Sequence, residues 1–369
     1  TGTAAGARFG WAKEARIYSM KIQGLEGGGD TAPSPYTVTN FANVIATWHE
    51  QKPIDPVTGV RRPTIVNMSW GYTGAYTNSM YGEFRGVAWD DSANPSTFRE
   101  EYGMLSYAAV FFDYRYPVRV GLVDLAVQNA VSRGVIFVGA AGNDYHPGFR
   151  QGDLDYDNWY SGDYWNGVPQ YYARGSSPCA GETGVICVGA TELNTGVSPA
   201  VDRKTEFSST GTSVNIWAPG RNIMSSTPEW RSYVSTEYYR GLTDEFFPTA
   251  DQNNKQEKLS GTSMASPNAC GMLAVILGIR PYLQSKQQLL DFMQKHGLLN
   301  KLDETATRAW NYPNDLGQTR SLNGSANMIS NMPFANHYLS PTPSAETAQA
   351  KASDISDVNI QGPVTIKHS

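Results

Sequence analysis

The stretch Gly261-Thr262-Ser263-Met264-Ala265-Ser266-Pro267, running on into Asn268-Ala269-Cys270-Gly271-Met272-Leu273-Ala274-Val275-Ile276-Leu277-Gly278, constrains the fold of this chain more than any other. Its second half is apolar on every face, so a helix there belongs inside a core rather than at a surface. Ser and Thr ahead of an apolar run are N-cap chemistry, and Pro267 is tolerated in a helix's first turn, where its missing N–H costs nothing. The pattern therefore predicts a core helix opening around Ser263, with Pro267 in its first turn. A hydroxyl placed there sits beside unpaired backbone N–H groups and the positive end of the helix dipole, which can stabilise a developing oxyanion. Taken alone, the motif reads equally well as the cap of a core helix.

Two further segments carry the reading forward. Pro63-Thr64-Ile65-Val66-Asn67-Met68-Ser69-Trp70-Gly71 is an apolar β-type run ending at a glycine. Gly134-Val135-Ile136-Phe137-Val138-Gly139-Ala140-Ala141-Gly142-Asn143-Asp144 is a more hydrophobic strand ending in a small-residue turn. Helical stretches are expected near 40–51, 121–133 and 286–295, and strands over 15–22, 64–69, 135–139 and 184–190. Such alternation predicts a parallel sheet covered on both faces.

The three motifs resemble, in the right order, the signatures of the subtilisin-like serine proteases (peptidase S8), with a pattern closest to the proteinase K branch. Gly2-Thr3 and the run Phe9-Gly10-Trp11-Ala12-Lys13 through Ile22 resemble the family segment that follows the catalytic histidine, and Phe207-Ser208-Ser209 and Ala218-Pro219-Gly220 resemble two of its turns. The resemblance implies an α/β subtilisin-like three-layer αβα sandwich with a mostly parallel central sheet. It implies that Ser263 attacks a scissile carbonyl and that Asn143 donates to the oxyanion alongside the Ser263 N–H. Ser69, Trp70 and Gly71 match the edge that pairs with substrate backbone, and Ala140, Ala141 and Gly142 match a wall of the pocket for the residue before the cleaved bond. Trp70 is larger than the leucine common at that place. The family's catalytic histidine and aspartate fall upstream of Gly2, so the expected partners are a polypeptide substrate and an N-terminal segment that supplies both groups.

Five histidines are present, at 49, 146, 296, 337 and 368. His49 and His296 fall in or beside helices, and His337 and His368 in a polar tail. His146 is near Asn143 in sequence, yet a general base needs hydrogen-bond reach to Ser263, so His146 is expected to be solvated. An esterase of the α/β-hydrolase type is excluded because Met-Ala-Ser-Pro after Ser263 lacks the glycine of a nucleophile elbow. A catalytically inactive member of the fold, used as a structural or interaction module, is the alternative from another class.

With 369 residues, 17% charged and a net charge of −5, the chain can bury a large core and carries no basic patch suited to nucleic acid. No apolar run near 18 residues is found, so no membrane span is expected. Residues 1–335 read as the peptidase-like domain, with an aromatic insertion at 76–117 and a long polar-aromatic connection at 228–258. Residues 336–369 read as a polar tail. Trp and Tyr crowd into 70–116 and 156–172. Cys179 and Cys187 either form a short-range disulfide, which would favour an extracellular location, or stay reduced. Cys270 reads as a small buried hydrophobe. No cofactor is required. Calcium is common in the family, but acidic stretches such as 153–157 have no recognisable ligand spacing, and no metal ligands are assigned.

Overall fold

Strands that read as continuous apolar runs need helices on both faces, and the chain supplies them. The structure, a computed structural model, describes residues 2–6, 9–20, 22, 35–95, 99–104, 115–162, 165–227, 255–304 and 322–330. Among these, a single helical turn α1 (Gly2–Ala5) is followed by helix α2 (Pro35–Glu50) and strand β1 (Thr64–Met68). Four short strands come next: β2 (Thr73–Ala75), β3 (Ser79–Phe84), β4 (Val87–Asp90) and β5 (Arg115–Pro117). Helix α3 (Gly121–Ser132) leads into β6 (Val135–Ala140), then β7 (Trp159–Gly162), β8 (Gln170–Tyr171), β9 (Ile186–Asn194), β10 (Val201–Lys204) and β11 (Ile216–Pro219). The hairpin β12 (Ile223–Thr227) and β13 (Lys255–Leu259) precedes helices α4 (Thr262–Ile279) and α5 (Lys286–His296), and the strands β14 (Leu298–Leu299) and β15 (Met328–Ile329) finish the described chain.

The main sheet runs β1-β6-β9-β11-β15-β14, with β10 paired to β9. Its β1, β6, β9, β11 and β15 neighbours are parallel, while β10 and β14 join antiparallel. All six residues of β6 are buried, as a strand covered on both faces must be. Val135 and Phe137 pack with Val38, Phe41 and Ala42 of α2 and with Val123, Ala126 and Val127 of α3. Ile136 and Val138 alternate to the other face, where α4 crosses β1, β6, β9 and β11. The result is the expected three-layer αβα sandwich with a mostly parallel central sheet. Helix α4 is long and apolar enough to cross a membrane by composition, but its buried Ala265, Ala269, Met272, Leu273 and Ile276 fix it as a core helix.

The strand expected over 15–22 is absent among the described residues. Residues 15–20 are exposed, with Ile17, Tyr18 and Met20 all turned out and the Tyr18 ring set edge-on to Trp48 of α2 at 4.9 Å. An apolar run becomes a strand only where a sheet edge receives it, and β1 pairs with β6 alone.

The described parts of 76–117 do more than extend a loop. Strands β3 and β4 pair with β7 and β8 in a separate four-stranded sheet. Over that sheet Tyr76, Trp89, Met104, Tyr116, Tyr160 and Tyr172 form a second core, so the two aromatic-rich stretches meet face to face. Residues 228–254 of the second long connection lie outside the described residues, and its end forms β13. The polar tail lies outside them too. Cys179 and Cys187 form a disulfide with Cα atoms 5.3 Å apart. Cys270 is free and buried in α4, and burial pushes its thiol up to about 12.

Candidate active site

The ends of β1 and β6 and the start of α4 converge at the C-terminal edge of the parallel sheet, where open α/β folds place their ligands. Helix α4 begins at Thr262, one residue earlier than Ser263, and its N-cap is Gly261 with no side chain to cap it. Asn143, from the turn after β6, performs the capping from a distance. Its Oδ1 accepts from Thr262 N and from Thr262 Oγ1, both at 2.9 Å. The Thr262 hydroxyl in turn accepts from Gly142 N at 3.2 Å. Capping by Ser or Thr of the motif, as the sequence pattern predicts, is therefore replaced by a side chain 119 residues away.

Pro267 stands in the second turn of α4, not the first, because the helix starts at Thr262. Its missing N–H would have bonded to the Ser263 carbonyl four residues back. That carbonyl instead accepts from Ser69 Oγ at 2.8 Å. Ser263 Oγ donates to Ser69 O at 3.3 Å, so the end of β1 and the start of α4 are joined twice. Asn67 backs this junction: Ser266 Oγ donates to Asn67 Oδ1 at 2.7 Å, and Asn67 Nδ2 donates to Ser69 Oγ at 3.0 Å. Replacing Ser69 by alanine is expected to lower stability by about 1 kcal/mol, because it strands the carbonyl that Pro267 leaves without a helical partner. A urea unfolding midpoint equal to wild type would show that water satisfies it equally well.

The backbone around Ser263 is open. Gly261 adopts φ +155°, and a Cβ built there would stand 3.5 Å from Asn143 Nδ2 and 3.6 Å from Ser263 N. Two N–H donors thus flank one point kept clear by a glycine. Neither donor has an acceptor among the described residues, and Asn143 is exposed. Gly142, with φ +113°, has its carbonyl bonded by Ser209 N at 2.9 Å, which anchors the small-residue turn to the Phe207-Ser208-Ser209 loop.

The other predicted residues fall around this point. Ser69, Trp70 and Gly71 leave the end of β1, with Ser69 and Trp70 half-buried and Gly71 exposed. The Trp70 ring stands edge-on to Phe41 at 6.3 Å and to Tyr72 at 6.0 Å. Ala140, the last residue of β6, and Ala141 just after it are buried, and Ala141 N donates to Val188 O at 3.0 Å.

None of the described histidines hydrogen-bonds Ser263. His49 is buried, with Nδ1 2.8 Å from Thr64 Oγ1, and burial holds its pKa below the usual value. His146, which its loop position predicts to be solvated, is instead buried. It is 1% exposed, with Nε2 3.3 Å from the Tyr76 hydroxyl, inside the aromatic cluster. His296 lies beside Phe292 at the end of α5. His337 and His368 lie outside the described residues. No group of three His, Cys, Asp or Glu side chains gathers as a metal site among the described residues. Sequence reasoning missed Asn67 and Thr262, although a polar Asn inside the apolar Ile65-Val66-Asn67-Met68 run was a signal available to it.

A sequence model of the subtilase family matches residues 1–323. The subtilase-type proteinase isp6 of Schizosaccharomyces pombe is 30% identical over 48% of this chain and 26% of its own length. Subtilisin-like protease 8 of Trichophyton verrucosum is 25% identical, covering 76% of this chain and 37% of that protein. The subtilisin-like serine protease Cur l 4.0101 of Cochliobolus lunatus is 24% identical over 80% and 38%. The chain therefore spans well under half the length of these curated relatives. The crystal structure of a cold-adapted subtilisin-like serine proteinase superposes with a TM-score of 0.47 at 19% identity, covering 89% of this chain and 70% of that one.

Proposed function

Because the chain belongs to the subtilase family, we propose that it carries the nucleophile and oxyanion site of a serine endopeptidase acting on polypeptides. The carrying observation is the convergence at Gly261: the N–H of Ser263 and the Asn143 amide flank one open point, directly before the residue whose hydroxyl is the proposed nucleophile. Ser263 Oγ attacks the scissile carbonyl, and the carbonyl oxygen takes its developing charge toward Ser263 N and Asn143 Nδ2. The bond that Asn143 Oδ1 accepts from Thr262 N fixes the amide so that its donor end is presented without reorganisation. Extended substrate pairs along 69–71 as an added strand, and 140–142 line the pocket for the residue before the cleaved bond.

The base and its orienting carboxylate come from a segment upstream of Gly2 that carries the Asp and His. The engagement of His49 with Thr64 and of His146 with Tyr76 supports this division. The chemistry asks for no metal or cofactor. The Cys179–Cys187 disulfide supports an oxidising, extracellular location. The test is to supply the upstream segment and offer an unfolded protein. Cleavage should appear, and Asn143→Ala should reduce its kcat by about 10²–10³, a magnitude taken over from subtilisin. An assembled protein that leaves unfolded substrates intact would overturn the reading in favour of a non-catalytic module.

A further inference from the structure

At the opposite end of the sheet, before β9 and β11 begin, lies a cleft of about 860 Å³ bounded by α5 and by the loops that hold Glu182, Thr212 and Gly324. Asn215 sits in its wall and is 3% exposed. Asn215 Oδ1 accepts from Cys187 N at 2.8 Å, which fixes the amide and turns its Nδ2 the other way. That Nδ2 is buried without a partner among the described residues. A buried amide donor left unmade is costly, so native structures meet such groups with water or a ligand.

Two cationic groups share the cleft. Lys286, in the first turn of α5, gives one of its three N–H bonds to Val185 O at 2.7 Å. Burial, and then the charge of Arg150, push its ammonium down to about 8. The Arg150 stem lies over Gly181, where a Cβ would stand 2.8 Å from Arg150 Cγ. The Arg150 guanidinium has no acceptor among the described residues; the hydrogen bonds of this residue run through its backbone, whose N donates to Asp153 and Thr212 and whose O accepts from Asp153 N. The acidic side chains around the cleft are already committed. Glu182 accepts from Arg119 and from Gln151 N, Asp153 from Arg150 N and the Thr212 hydroxyl, and Asp291 from Gln287.

We propose that this cleft binds a small oxyanion, a phosphate or carboxylate group, held by Asn215 Nδ2, the Lys286 ammonium and the Arg150 guanidinium. The donor set supplies one neutral and two charged donors, and charge-assisted bonds of this kind are the strong ones. The cleft lies at the N-terminal ends of β9 and β11, whereas Ser263 and Asn143 sit at the C-terminal edge of the sheet. The oxyanion site therefore stands or falls independently of proteolysis.

The test is isothermal titration of the purified chain at constant ionic strength. The probes are inorganic phosphate, an acetylated dipeptide with a free α-carboxylate, and the same dipeptide as its amide. Saturable binding of phosphate alone identifies free phosphate as the source, and binding of the dipeptide acid but not its amide identifies a peptide C-terminus. Arg150→Gln should weaken the affinity about tenfold. Asn215→Asp, which keeps an acceptor for Cys187 N but adds a negative charge, should abolish binding. Lys286→Gln gives an independent check if Asn215→Asp fails to unfold cooperatively. Absence of saturable binding by every probe, or an affinity unchanged in Arg150→Gln and Lys286→Gln, overturns the proposal.

Discussion

Ser263→Ala is expected to abolish both peptide-bond cleavage by the assembled protein and the mass adduct left by a fluorophosphonate probe, with the fold intact. The hydroxyl is the proposed nucleophile, and its one hydrogen bond among the described residues is the long contact to Ser69 O. The features that hold the start of α4 do not pass through that oxygen. Asn143 caps Thr262 N, and Ser69 Oγ bonds the Ser263 carbonyl, a backbone group that alanine retains. Stability should therefore change by less than about 1 kcal/mol. An adduct that persists at another serine, or undiminished cleavage by the variant, would place the nucleophile elsewhere.

Trp217→Ala is expected to be the most destabilising single truncation at this end of the core, costing about 3–5 kcal/mol and lowering Tm on the order of 10 °C. Trp217 sits in β11 in register with Gly189 of β9 and is fully buried. Its ring occupies the space over Gly189 so closely that a Cβ there would stand 2.3 Å from it. It packs with Ala141, Val214, Leu322 and Ile329 and with the disulfide of Cys179 and Cys187. Alanine would leave a cavity that β9, tied by the disulfide to the loop at Cys179, cannot collapse to fill, and it would strand Ala326 O, which the indole N–H now satisfies at 3.1 Å. Trp217→Phe should recover most of the loss. Thermal unfolding of the pair measures both effects, and an alanine variant within 1 kcal/mol of wild type would mean that the sheet relaxes around the gap.

The agreement between sequence and structure follows the range over which each signal acts. The expected helices near 40–51, 121–133 and 286–295 and the strands at 64–69, 135–139 and 184–190 match α2, α3, α5, β1, β6 and β9 to within a few residues. Those signals are local: hydrophobic period, glycine and proline punctuation, and a serine capping α5 at Ser285. The run at 15–22 has the same local character but finds no neighbouring strand among the described residues, and its residues 15–20 stay exposed. His146 shows the same limit from the other side. Its loop position suggests solvent, yet Tyr76, 70 residues away, encloses it.

By itself the chain's order of residues determined an α/β core, the helix carrying Ser263 and the three motifs that place it in the subtilase family. Each is written in spacings of a few residues, where backbone sterics and hydrophobic period act directly. The tertiary structure alone decided that Asn143 caps Thr262, that Ser69 takes the carbonyl which Pro267 leaves unbonded, and that Cys179 pairs with Cys187. It alone turned two aromatic stretches into one second core. Contacts such as that between Ser69 and Ser263, 194 residues apart, exist only once the sheet has brought distant strand ends together, and no local period encodes them.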